Sequence, residues 1–175
     1  ALKYGNDVVD VEVSEPSRFT GQVRYNMGGT AGFPTAAVVR DGKIIVFKRR
    51  SYWPFTIVDD ANIVFLPEGD EAVGFGCLGP LAIDTHEGIT YTIGENDIYA
   101  WPLVGEPRGI CGEGMRAEIM NKAVASWVES QTYNMPLLCV DKRLHILYAY
   151  TQKGKLFAYH IRTGAWSTVI AGGDG

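Results

Sequence analysis

The sequence has few of the residues that most often form cross-links or metal sites. Its 175 residues include three cysteines and three histidines. Cys77, Cys111 and Cys139 lie far apart and form no CxxC pair, which argues against a disulfide framework or a zinc site. We therefore expect reduced thiols that pack as small apolar groups, in a reducing compartment.

Long apolar runs and a strong charge balance are also missing. No run approaches 18 apolar residues, so the sequence predicts no membrane-spanning helix and no membrane partner. The formal net charge is only −4, which implies no whole-chain attraction to nucleic acid. The N-terminus lacks the basic-then-apolar order of a signal peptide. Because it starts with Ala1 rather than methionine, we expect a processed product or a fragment.

The histidines and carboxylates do not follow the spacing of a known active site. His86, His145 and His160 form no HxH or HExxH motif, and no GxSxG motif is present. His145 and His160 are placed to face each other across a hairpin, but two ligands without a third are weak evidence for a metal. The carboxylates fall at polar turns, where solvent exposure explains them. We expect no catalytic residue and no metal.

A glycine-rich segment precedes the middle of the chain. Gly74, Gly76 and Gly79 match the GxGxxG pattern of dinucleotide sites, which requires a helix directly afterwards. Pro80 and a strand-like run follow instead. The segment therefore predicts a crossover loop with glycine where backbones pass closely, and no cofactor.

Apolar residues alternate with polar ones along much of the chain, which is typical of strands with one buried face. Residues 137–169 contain four such strands separated by short polar turns, and residues 35–55 and 81–103 repeat the design. A repeat of about 40–50 residues with several strands in each unit is typical of propeller blades.

The sequence thus predicts an all-β fold, a β-propeller-like array of about three antiparallel blades with at most one or two short helices. We expect the blades at residues 33–66, 72–104 and 123–170, within a single domain or fragment covering 1–175. Aromatic residues near the strand ends are expected to pack between blades: Trp53, Trp101, Tyr159 and Trp166.

Other segments give weaker patterns. Residues 7–13 and 19–25 alternate like edge strands or part of a further blade. Residues 115–122 are rich in helix formers and predict a short helix that covers a blade edge, followed by a strand at 123–130. The basic run Lys48-Arg49-Arg50 is either a solvated turn or a contact to a partner or a phosphate.

Three segments together resemble the β-propeller virion proteins of tailed bacteriophages. They are IIVFKRRSYW at 44–53, GCLGPLAIDTHEGITYTIGENDIYAW at 76–101 and LFAYHIRTGAWSTV at 156–169. The resemblance implies a structural role in a head-to-tail connector, a DNA-stabilising plug or a tail nozzle. It also implies location in the virion after assembly in the bacterial host cytoplasm. Its implied partners are other virion proteins and copies of the chain in a symmetric ring, with DNA nearby in a tail channel. It brings no catalytic residues.

A glycan-binding or glycan-hydrolysing propeller is the alternative. Gly88, Thr90 and Tyr91 fit part of the S-x-D-x-G-x-T-W turn of sialidase-like propellers, although Asp84 and His86 depart from it. The two functions differ in where the tryptophans lie. Side chains buried between sheets favour assembly, whereas a groove beside paired carboxylates favours glycans.

The chain is short for a closed propeller. Such folds usually have four to eight blades, so that each sheet is covered on both faces. At about 45 residues in each blade, this chain supplies three or slightly more. We expect terminal sheets whose outer face must be covered by further residues or by other subunits.

Overall fold

The computed structural model describes residues 2–5, 8–15, 18–26, 32–57, 65–120, 136–152 and 155–169. The chain divides into two compact units, Ala1–Gly76 and Cys77–Gly175. We describe each unit by itself. No helix in the described part of the chain has the length and hydropathy needed to span a bilayer.

The first unit begins with a three-stranded antiparallel sheet, the first sheet. Its strands follow the chain order and pair β1 with β2 and β2 with β3. The second and third of them correspond to the alternating segments at 7–13 and 19–25, whereas the first was not predicted. The strands are β1 (Leu2–Gly5), β2 (Val8–Glu15) and β3 (Arg18–Asn26).

The second sheet completes the first unit and has five strands. Asp41 and Gly42 connect its first two strands, both with positive φ (47° and 70°), as a two-residue hairpin turn of the primed type requires. The last strand pairs back onto the third. The strands are β4 (Pro34–Arg40), β5 (Lys43–Lys48), β6 (Ser51–Ile57), β7 (Phe65–Pro67) and β8 (Ala72–Val73).

The third sheet opens the second unit as a four-stranded antiparallel meander. Glu87 and Gly88 form the turn between its first two strands. A helix, α1 (Gly112–Met120), follows the sheet, and Ile119 and Met120 are its buried residues. The strands are β9 (Ile83–His86), β10 (Ile89–Ile93), β11 (Ile98–Trp101) and β12 (Arg108–Gly109).

The fourth sheet is a second four-stranded meander in chain order. Its first and third hairpin loops each contain four residues between the paired strands, residues 142–145 and 161–164. The strands are β13 (Leu137–Asp141), β14 (Ile146–Gln152), β15 (Lys155–His160) and β16 (Ala165–Val169).

The third and fourth sheets stack with their strands in the same order. The first strands are neighbours, because the Leu138 amide donates to the Leu81 carbonyl (2.8 Å). The last strands are neighbours too, because the Trp166 indole Nε1 donates to the carbonyl of Ile110, just after β12 (2.8 Å). In successive propeller blades, too, the first strands lie beside each other and the last strands lie beside each other.

The two stacked sheets differ in how their faces are covered. The third sheet is buried on both faces, with Thr92 and Trp101 on one and Tyr91 and Ile93 on the other. The fourth sheet buries one face, which carries Leu138, Val140, Leu147, Ala149 and Phe157. Its opposite face is exposed or half-buried at most positions. We call this opposite face the outer face; its side chains include Leu137, Cys139, Ile146, Tyr148, Tyr150, Leu156, His160 and Val169.

The all-β prediction is confirmed, and the sheets have three to five strands each. The arrangement in the second unit is compatible with a partial propeller. The helix begins at Gly112 rather than at residue 115, with Glu113 in its first turn, where an acidic side chain complements the helix dipole. The predicted strand at 123–130 lies outside the described residues.

The predicted blade ranges and the observed sheets do not have the same limits. Strands β4 to β7 fall in the range 33–66 except for Pro67, whereas β8 lies in the range 72–104 but pairs with the second sheet. Strand β12 lies beyond residue 104. Strands β13 to β16 fall in the range 123–170.

Candidate functional site

Two hairpin turns of the second unit bring three ligand-type side chains together. His86 ends β9, Glu87 begins the turn to β10, and His145 is the last residue of the loop from β13 to β14. We searched the described residues for three or more histidine, cysteine or acidic side chains that could hold one metal ion, and these three were found. Their ligand atoms all lie within 4.8 Å of one another. The stacking of the third and fourth sheets creates this cluster.

The donor atoms of the cluster are in close contact. His86 Nε2 lies 2.8 Å from His145 Nδ1. Glu87 Oε1 lies 3.8 Å from His86 Nε2 and 3.6 Å from His145 Nδ1. His86 is buried, with 7% of its surface exposed, whereas the Glu87 side chain is 61% exposed. His86 therefore forms the buried side of the cluster, and Glu87 forms the side that is open to solvent.

Arg162 contacts the other nitrogen of His145, with its Nη2 2.7 Å from Nε2. A guanidinium group only donates hydrogen bonds, so His145 Nε2 must accept. The ring proton of a neutral His145 then lies on Nδ1, which donates to His86 Nε2. The turn at 161–164 thus orients the histidine pair.

Two residues of the cluster adopt left-handed backbone conformations. Glu87 has φ 50° and His145 has φ 54°. Such values favour glycine and, among the other residues, asparagine, aspartate and histidine. The corresponding positions elsewhere in this chain follow that preference: Asp41 in the first hairpin of the second sheet and Gly164 (φ 72°) at the end of the last loop. Glu87 is therefore the residue of the cluster that departs from this preference.

Asp84 also connects the two stacked sheets. Its carboxylate accepts hydrogen bonds from the amide of Thr85 and from the amide of Val140 on β13, both at 2.7 Å. Asp84 and His86 stand where the sialidase-like turn has serine and aspartate. Both departures face the fourth sheet and bond to it, which gives them a structural explanation.

The aromatic residues expected between blades have different surroundings. Trp101 is buried and donates to Thr92 Oγ1 (2.9 Å) within its own sheet. Tyr159 and Trp166 form a ring pair with centroids 4.9 Å apart on the fourth sheet, and Trp166 reaches the segment after β12. Trp53 is half-buried on β6, and its buried Nε1 has no hydrogen-bond partner in the described part of the chain.

The basic run Lys48-Arg49-Arg50 is not uniformly solvated. Lys48 is 2% exposed and lies 3.4 Å from the Glu71 carboxylate, which also accepts a hydrogen bond from Ser51. Lys48 is therefore buried in an ion pair, and a contact of the basic run to a partner or a phosphate stays a prediction. An ammonium group is buried there because a buried carboxylate faces it. Arg49 is half-buried, and Arg50 is exposed.

One carboxylate of the second unit, that of Asp97, is held by hydrogen bonds in a buried position. Asp97 is buried and accepts hydrogen bonds from the Cys111 amide (3.1 Å) and from Arg116 (2.9 Å).

The cysteines are free: Cys77 and Cys111 are buried as expected, but Cys139 is exposed. Cys139 is exposed because it lies on the outer face of the fourth sheet.

The sequence did not predict the pairing of His86 with His145. It placed His145 opposite His160, but His160 pairs with Ile146 and Ala165 in the ladders, and His145 lies in the loop outside them. The His145 side chain instead reaches His86, at the end of β9. A histidine at a turn position that favours glycine was the available signal.

Comparisons with known proteins complete this description. No protein-family model matches the chain, and no curated protein matches it significantly.

Proposed function

We propose that the chain is a structural subunit of a tailed-bacteriophage virion, in the tail or the head-to-tail connector. The observation that carries this proposal is the outer face of the fourth sheet. The proposal also draws on the resemblance of three segments to propeller virion proteins and on the blade-like stacking of the third and fourth sheets.

The outer face has the composition of a surface that packs against another sheet. Tyr148 lies between Cys139 and Ala158 across the ladders, and Tyr150 lies between Leu137 and Leu156. These are cross-strand apolar and aromatic pairs, which normally stabilise a buried face. Leu137 is 43% exposed and Val169 36% exposed. Fully burying one such side chain contributes about 1.5–3 kcal/mol.

A neighbouring subunit is the occupant that we propose for this face. In a ring, each subunit offers its terminal sheet to the next, so that the last blade of one chain meets a blade of another. The exposed apolar side chains Leu103 and Val104, beyond β11, add to the surface available for contacts. A virion component supplies such neighbours at fixed positions.

The positions of the tryptophans favour assembly over the glycan alternative. Trp101 is buried, and Trp166 uses its indole N–H to join two sheets. The buried carboxylate of Asp97 bonds to Arg116 and to a backbone amide. These contacts leave the two tryptophans and Asp97 in structural roles, not at a sugar-binding groove.

Oligomeric state and particle composition test the proposal. We expect sedimentation velocity to show concentration-dependent oligomers of the intact chain, and Tyr148→Glu to shift them toward monomer by placing a charge on the outer face. Thr163→Glu, in an exposed loop, is the matched control and should sediment like wild type. Antibody-gold labelling of purified phage particles should place the protein at the neck or tail. A wild-type monomer at all concentrations, or absence from the particle, would refute the proposal.

A further inference from the structure

We propose that His86, Glu87 and His145 bind one divalent transition-metal ion of the Zn²⁺ class. The ligands are His86 Nε2, His145 Nδ1 and a Glu87 carboxylate oxygen. The site does not depend on the role in a virion, so either proposal can fail without the other. It replaces the expectation from the sequence that the chain holds no metal.

The donor set is the first argument. Two imidazole nitrogens and one carboxylate oxygen form a set that zinc accepts in sites with three protein ligands and one open position. The exposed side of the cluster, at Glu87, is where a water or another ligand would take that fourth position. Because His86 is buried, the protein around it holds this ligand in place for the ion.

The spacing of the donors is the second argument. Ligands about 2.0–2.1 Å from a tetrahedral ion lie about 3.3 Å apart. The observed separations between donor atoms are 2.8, 3.6 and 3.8 Å, so they scatter around that value. Movements of about half an ångström suffice, and rotation of the exposed Glu87 side chain and of the loop residue His145 can supply them.

Backbone conformation is the third, independent argument. Glu87 and His145 both occupy left-handed positions, which cost most non-glycine residues about 1 kcal/mol or more and which histidine tolerates better than glutamate. The matching loop at 161–164 has Gly164 at that position. Strained residues persist where their side chains have a use, and here both strained side chains point their donor atoms at one place.

Arg162 competes with the metal for His145. A metal on Nδ1 occupies the lone pair of that atom, so the ring proton moves from Nδ1 to Nε2. An N–H at Nε2 no longer accepts a hydrogen bond from the guanidinium, and Arg162 must turn into solvent, to which it is already exposed. Removing the Arg162 charge should therefore strengthen metal binding.

Metal titration of the intact, untagged chain tests the site. Co²⁺ is added in metal-free buffer to a Cys139→Ser background, which removes the exposed thiol, and Zn²⁺ then competes. We expect one Co²⁺ per chain, with the visible absorption of a low-coordinate site, and displacement by Zn²⁺. His86→Ala and His145→Gly should each weaken binding at least tenfold, since loss of even an outer-shell partner costs about 10–100-fold.

Matched variants separate the site from a general loss of structure. His145→Gly removes a ligand and supplies a residue that suits the turn, which offsets part of the cost of the lost hydrogen bond to His86, so its thermal unfolding should stay close to wild type. His160→Ala removes the histidine outside the cluster and should bind Co²⁺ like wild type. Arg162→Gln should bind severalfold more tightly.

Two results would overturn the metal site. One is a wild-type chain without saturable Co²⁺ binding. The other is binding that His86→Ala and His145→Gly leave unchanged, which would assign it to other residues. Unaltered affinity in Arg162→Gln would overturn the competition by Arg162.

Discussion

Asp97 connects three segments of the second unit through one buried carboxylate. It contacts the Cys111 amide and Arg116, and Gly109 passes so close that a Cβ there would overlap its carboxylate. Asp97→Ala should leave the Cys111 amide without this acceptor and lower the free energy of unfolding by about 2 kcal/mol, as measured in urea.

Glu118→Ala provides the control for Asp97. Glu118 pairs with Lys155 at 3.1 Å, but both side chains are more than two-fifths exposed. Exposed pairs contribute at most about 1 kcal/mol, so this variant should unfold almost like wild type. Equal losses in the two variants would contradict the structural role of Asp97.

The buried thiols make stability depend on alkaline pH. Burial raises the pKa of Cys77 and of Cys111 to about 12, from an ordinary value of 9.0. Between these values the folded chain keeps protons that the unfolded chain has lost. Stability is therefore complete below about pH 9 and falls as pH rises toward 12, by about 1.4 kcal/mol per pH unit for each thiol.

Urea unfolding between pH 8 and 11 measures this dependence. Cys77→Ala should reduce the loss of stability above pH 9, whereas Cys139→Ser should leave it unchanged because that thiol is exposed. Burial also raises the pKa of Tyr91 and of Tyr99, so part of the loss should remain in the cysteine variant. A slope identical to wild type in Cys77→Ala would contradict the assignment.

Among the elements, the hairpins were the most predictable from sequence. Asp41-Gly42 has the turn chemistry of a two-residue loop, Gly88 marks the turn between β9 and β10, and alternation predicts which strands these turns join. The loop with His145 was harder to predict, because it has no glycine at its left-handed position, unlike the matching loop that ends at Gly164. Local pattern decides strands and turns, but it carries no information on which turn of one sheet meets which turn of another.

Gly76 and Gly114 show how the same substitution can have opposite effects in different elements. A Cβ at Gly76 would overlap the backbone carbonyl of Arg49, whereas Gly114 lies in α1 with open space around it. Gly76→Ala should destabilise by about 1–3 kcal/mol. Gly114→Ala should stabilise by about 0.5–1 kcal/mol, because alanine favours helix. Thermal unfolding checks both, and equal shifts would contradict the close approach at Gly76.

On the scale of the whole molecule, sequence predicted the fold class but not the candidate site. The all-β architecture follows from alternation and turn spacing, which are local. The cluster of His86 and His145 depends on the stacking of two sheets, and the burial of Lys48 depends on Glu71, which lies in a different segment. Contacts between distant segments are set by packing, so a single sequence does not reveal them.

Cys139 makes the exposure of the outer face of the fourth sheet measurable by thiol labelling. It is the exposed thiol of the three, and the other two are buried with their pKa raised to about 12. A maleimide at neutral pH should therefore label one cysteine per chain, because only thiolates react. Mass spectrometry of peptides would locate the label, and modification of Cys77 or Cys111 in the native chain would contradict this.

The same reaction then works as a footprint of assembly. Labelling should slow when a neighbouring subunit covers the face and return to its full rate when the assembly dissociates. The rate of labelling at Cys139 would thus report whether a neighbouring subunit covers the outer face in an intact particle, and it requires no amino-acid substitution.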